Sequence, residues 1–97
     1  MIGTAIVTQG YREEHGLSMR GFADCVNANL VNNFMSSSMV HRIEKGKYEP
    51  PLELIFECLA IYPSTSWISV WARDCFRAMY PDLTGRGVVV INLSKSN

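Results

Sequence analysis

The sequence predicts a mainly α domain, five helices followed by a short C-terminal β-strand. Three observations carry this. Apolar residues recur with helical spacing between clear breaks at Gly16, the polar stretch 27–33, Gly46, Pro50-Pro51, Pro63 and Pro81. The clearest stripe, Leu52, Ile55, Phe56 and Leu59, falls at i, i+3, i+4 and i+7. The last segment changes period: Gly87-Val88-Val89-Val90-Ile91-Asn92-Leu93 is short and β-branched, a strand signature. At 97 residues the chain suits one domain, and 47% apolar content is too rich for a disordered chain.

Each helix has its own local warrant. Thr4 is placed to cap a first helix running to about His15, with Gly16 beyond its end and Val7 and Tyr11 facing inward beside Ala5 or Thr8. Ser18 is a good N-cap for a second, Met19 to about Val26, whose stripe is Phe22, Ala23 and Val26. Ser36 caps a third, Ser37 to about Lys45, with Met39, Val40 and Ile43 apolar and Gly46 ending it. Pro51 suits the first turn of a fourth. Ser64 or Ser66 caps a fifth that runs through Trp67, Val70, Trp71, Phe76 and Met79 to Tyr80, with Pro81 as the stop. The strand at 87–93 needs a pairing partner, in this chain or in a second copy, because a lone strand is unstable in water.

Composition excludes several functions. Nine basic side chains balance nine acidic ones, so a general polyanion binder is disfavoured, although a local basic face is allowed. Strictly apolar runs such as Val88 to Ile91 are far short of the ~20 residues a membrane span needs. The N-terminus MIGTAIVTQG lacks a basic region and an apolar core of leader length, so a cytoplasmic location is expected. Cys25, Cys58 and Cys75 form no C-x-x-C pair and read as reduced, buried thiols, with no metal and no cofactor expected. Nothing reads as an enzyme: no nucleophile elbow, phosphate loop or zinc-protease motif is present. His15 lies at a helix end where the macrodipole favours a cation, and the adjacent Glu13 and Glu14 do not face each other.

The informative stretch is Tyr11 to Pro51. YREEHGLS closes the first helix and starts the second, FADCV is the body of the second, and SSSMVHRIEKGKYEPP forms the third with its exit. In order and spacing these pieces resemble the helix-turn-helix region of the Cro/C1-type (XRE-like) phage repressor family, over about half of the chain. The resemblance implies a five-helix lambda-repressor-like fold. Residues 1–63 would be the DNA-binding core. Residues 64–97 would add a helix and strand packed on the same domain and available for dimerisation.

The physics of the third helix agrees with that implication. Val40 and Ile43 anchor it, so Ser37, Ser38, His41, Arg42 and Lys45 face outward, and none of them is acidic. Such a row suits a major groove, where base edges are read by hydrogen bonds. Ser37, Ser38, His41 and Arg42 are therefore the candidate base contacts, with Arg42 able to grip guanine. Arg20, Lys45 and Lys47 are candidate phosphate contacts. Glu44 interrupts the basic run; by resemblance it pairs with Arg12, a structural ion pair that fixes the third helix against the first. Ala23 is small enough for close helix approach.

Three features depart from the family pattern. The connection 27–34 is long, with Leu30, Val31 and Phe34 expected to fold back on the core while its asparagines face out. Gly21 stands where a good helix former is usual, and net charge is zero. Farther on, YPSTSWISVWARDCFRAMYPDL resembles the tail of some prophage-encoded regulators. Trp67, Trp71 and Cys75 make a stripe at i, i+4 and i+8 that either closes the core or, with Val88 and Val90, joins two copies. The expected function is a sequence-specific regulator of transcription, a phage or mobile-element repressor that binds a double-stranded DNA operator as a homodimer. The alternative is an interaction module on the same fold, an antitoxin or antirepressor using the aromatic C-terminal half.

Overall fold

A computed structural model describes residues 2–84. The strand expected at 87–93, with Val88 and Val90, lies outside the described residues. Among those residues the chain is mainly helical: α1 (Ile2–Glu14), α2 (Met19–Asn27), α3 (Ser37–Glu44), α4 (Leu52–Ile61), α5 (Trp67–Met79) and a single turn, α6 (Pro81–Thr84). None of these helices is long and apolar enough to cross a membrane.

Local chemistry sets most boundaries. The Ser18 hydroxyl accepts the Gly21 N–H at 2.9 Å, Ser36 accepts the Met39 N–H at 3.1 Å and Ser66 accepts the Ile68 N–H at 3.2 Å. Each satisfies a donor that its helix leaves orphaned. Gly21 also sits close to its cap: a Cβ there would lie 3.2 Å from Ser18 Oγ. Two helices stop in the same way. Gly16 (φ +63°) and Gly46 (φ +74°) adopt the left-handed conformation. The Leu17 N–H then bonds the Arg12 carbonyl, and the Lys47 N–H bonds the Arg42 carbonyl, both at 3.0 Å. This is the Schellman stop, in which glycine avoids the steric cost of positive φ. Pro51 takes the N-cap position of α4 without a side-chain bond, and Glu53 in the first turn complements the helix dipole.

The first helix corrects one expectation. Thr4 does not cap it, because α1 already begins at Ile2 and Thr4 is fully buried. The cause is tertiary. Gly3 brings α1 against α5, so close that a Cβ on Gly3 would stand 2.9 Å from Ala78 Cβ. Thr4 and Thr8 therefore point into the core, while Val7 and Tyr11 are half-buried. Trp71 Nε1 donates to Thr8 Oγ1 at 3.1 Å, which pairs the indole donor inside the core.

The fully buried apolar side chains of the helices come from α2, α3, α4 and α5, with Thr4 and Thr8 of α1 buried beside them. Phe22, Val26, Val40, Ile43, Leu54, Ile55, Trp71 and Cys75 are all fully buried. Phe22 meets Trp71 edge-on at 5.4 Å between ring centroids. Here α4 is rotated from the sequence expectation: Leu54, Ile55, Cys58 and Leu59 face inward, while Leu52 and Phe56 are exposed. LELIFECLAI is apolar nearly all round, so it offers two stripes, and packing against α5 selects the second. Trp71 corrects another expectation. It cannot join two copies, because it is enclosed by this chain; Trp67 is half-buried, stacked on His15 at 4.4 Å.

Three measurements check this packing. Gly3→Val should lower stability by about 1–3 kcal/mol through overpacking, read from the denaturant midpoint. Gly10 has open space around a Cβ, so Gly10→Ala should raise stability by about 0.5–1 kcal/mol. Burial pushes the Cys58 and Cys75 thiols from 9.0 up to about 12. Their neutral form is the folded form, so the stability they confer is complete below pH 9 and lost as pH rises towards 12. A thiol reagent at neutral pH should label half-buried Cys25 first and reach the other two only on unfolding.

Candidate nucleic-acid interface

Helix α3 is held from beneath at three points. Val40 and Ile43 are fully buried. Glu44, the residue after Ile43, turns back under the helix and meets Arg12 of α1 side-on. Arg12 Nε donates to Glu44 Oε2 at 2.6 Å and Nη2 donates to Oε1 at 3.0 Å. Arg12 Nη1 also donates to the Leu17 carbonyl at 3.0 Å, just past the Gly16 stop. One guanidinium thus ties the end of α1 to the end of α3. The Glu44 side chain is only 6% exposed and that of Arg12 17%. The hydrogen bond to Glu44 raises the Arg12 pKa above its ordinary value, outweighing the opposing effect of burial.

This pair decides the charge of the opposite face. Between Ser36 and Lys47 the only acidic residue is Glu44. With Glu44 turned inward, the exposed side of α3 carries Ser38, His41, Arg42 and Lys45, followed by exposed Lys47, with Ser37 half-buried. Ser37, Ser38, His41 and Arg42 line one shallow recess of about 440 Å³ with Met19 of α2. Arg20 is exposed and shares a second recess with Ser36, so it stands near the start of α3. Both residues expected to form the ion pair are found bonded. The seven expected contact residues lie on or beside the exposed side of α2 and α3.

Two features escaped the sequence reading. Met19 is the apolar side chain that lines the recess with the serines. Tyr48 lies under Arg42, whose guanidinium carbon is 4.9 Å from the ring centroid. Stacking of this kind attracts the cation and limits its rotamers. Its signal was present: the stop at Gly46 brings residue 47 back to the carbonyl of residue 42, so residue 48 falls beside Arg42.

The long connection also differs from expectation. Leu30 and Phe34 do pack on the core, but Val31 is 86% exposed, and Met35 takes the buried position instead. Asn27 turns inward to bond Met35, so not every asparagine of the connection faces out.

Comparison with known proteins gives no match: no family model, no curated protein and no solved structure is similar to this chain.

Removing one member of the Arg12–Glu44 pair leaves a poorly hydrated charge behind. Arg12→Ala should therefore cost about 3 kcal/mol. Replacing both residues with apolar side chains of similar volume should restore much of the loss, both changes being read from denaturant midpoints.

Proposed function

We propose that this protein is a sequence-specific, double-stranded DNA-binding regulator of transcription, a repressor from a phage or another mobile element. The observation that carries the reading is the inward turn of Glu44, which leaves the exposed face of α3 with hydroxyls, an imidazole and cations and without an acid. In this reading α2 and α3 are the helix-turn-helix unit of a lambda-repressor-like fold, in keeping with the resemblance of residues 11–51 to the Cro/C1-type family. Helix α3 enters the major groove. Arg42, pre-oriented by Tyr48, reads a guanine, and Ser37, Ser38 and His41 read neighbouring base edges. Arg20, Lys45 and Lys47 hold phosphates and fix the register.

Repression needs no catalysis, cofactor or metal. A homodimer docks in the cytoplasm on a near-palindromic operator and blocks polymerase. Trp67, half-buried at the start of α5, remains a candidate for the dimer contact.

A second reading, an interaction module such as an antitoxin or antirepressor, is favoured by one observation. Leu52, Phe56, Phe76, Tyr80 and Leu83 line an apolar groove of about 290 Å³ along α4, α5 and α6. Retention on heparin at low salt separates the two readings, since only the DNA-binding face should hold a polyanion.

Gel-shift titrations test the roles assigned. Arg42→Ala should cost about 1–3 kcal/mol on the preferred duplex and relax its sequence choice. Lys47→Ala should weaken all duplexes alike and reduce the slope of affinity against salt by about 1. Variants that bind like the wild type would remove these residues from the interface.

A further inference from the structure

The connection between α2 and α3 is pinned at both ends. Asn27 grips Met35 twice: Nδ2 donates to its carbonyl at 2.9 Å and Oδ1 accepts its N–H at 3.0 Å. At the other end Tyr62 Oη donates to the Val26 carbonyl at 2.7 Å and accepts the Asn29 N–H at 3.3 Å. Leu30, Phe34 and Met35 pack on the core. Val31, Asn32 and Asn33 are left outward, all exposed.

The position of this tip matters. Residues 25–40 contain no charged side chain, so nothing on the connection itself repels a polyanion. A recess of about 640 Å³ opens beside it, with Arg20, Asp24, Asn33 and Ser36 among its walls. The recess at Ser37 and Ser38 is its neighbour. Met19 and Arg20 are split between the two, as are Ser36 and Ser37, so the start of α2 and the start of α3 form the ridge between them.

We propose that the tip 31–33 is a second DNA-reading element, which places the Asn32 and Asn33 amides on the duplex flanking the base pairs read by α3. The proposal rests on the DNA-binding reading above and extends its contact surface. An asparagine amide offers a donor and an acceptor together, the pattern that pairs with adenine N7 and N6. Exposed Val31 offers a methyl contact to thymine. Because the connection is already pinned, little ordering entropy is lost on binding. Asp24, exposed in the same recess, disfavours a phosphate beside it, so the contact assigned to this element is made by the neutral Asn33 and Asn32. Neutral side chains release no counterions, so this element adds affinity without steepening the salt dependence.

The test is selection from a randomised duplex pool by the full chain and by Asn32→Ala/Asn33→Ala, followed by titration on the preferred duplex. The double variant should bind about 5- to 30-fold more weakly, lose base preference only at the flanking positions, and keep the wild-type salt slope and melting temperature. Arg42→Ala should lose preference at the positions read by α3 instead. If the double variant selects the same base pairs with unchanged affinity, this inference fails while the DNA-binding reading stands. A wild type that enriches no duplex overturns both.

Discussion

A guanidinium on one helix and a carboxylate on another set the character of the exposed surface. Glu44 follows the buried Ile43, so it stands at the border between core and solvent. Facing out, it would place a negative charge beside the row formed by Ser38, His41, Arg42 and Lys45. Bonded to Arg12 by two hydrogen bonds, it is removed from that row and neutralised where it lies. Ion pairs with little exposure contribute modest net stability, because desolvation offsets much of the Coulomb attraction. The greater effect here is orientation: the pair fixes the rotation of α3 about its axis, together with Val40 and Ile43 below it.

A net charge of zero is compatible with binding a polyanion when the charges are sorted in this way. Nine acids and nine bases cancel over the chain, and pairing Glu44 with Arg12 removes one of each; what matters is local, because Arg20, Arg42, Lys45 and Lys47 stand exposed about α2 and α3. The proposed contact is therefore short-ranged. It depends on a few phosphates and on hydrogen bonds at base edges, and less on the overall field of the molecule. Elsewhere on the domain, α4 leaves Leu52 and Phe56 uncovered, and they line one groove with Tyr80 and Leu83. That apolar groove is what keeps an interaction-module reading in view.

Features governed by neighbours in sequence were legible without coordinates. Ser18, Ser36 and Ser66 cap helices because a hydroxyl needs only the next turn, and Gly16 and Gly46 stop them because left-handed backbone favours glycine. Features governed by distant partners were not. Thr4 looks like a cap, but the close approach of Gly3 to Ala78 draws it into the core. Leu52 and Phe56 belong to a valid stripe that loses to its neighbour once α5 is in place. The tryptophan stripe signals burial without naming the surface that provides it; Trp71 finds that surface within the chain. Within the candidate site, residue types and spacing located the exposed face of α3, and the resemblance supplied the Arg12–Glu44 pair. Tyr48 under Arg42 and the pinned loop at 31–33 arise from the way the chain turns back, which no periodicity encodes.

The central claim is that α3 presents the face that meets nucleic acid. Its most direct test is amide chemical-shift mapping of the full chain as a short mixed-sequence duplex is added at low salt. The account predicts that the largest changes gather at residues 36–48 and at Arg20, fade with added salt, and leave the groove at Leu52, Phe56 and Leu83 undisturbed. Changes centred on that groove, or none at all, would contradict it.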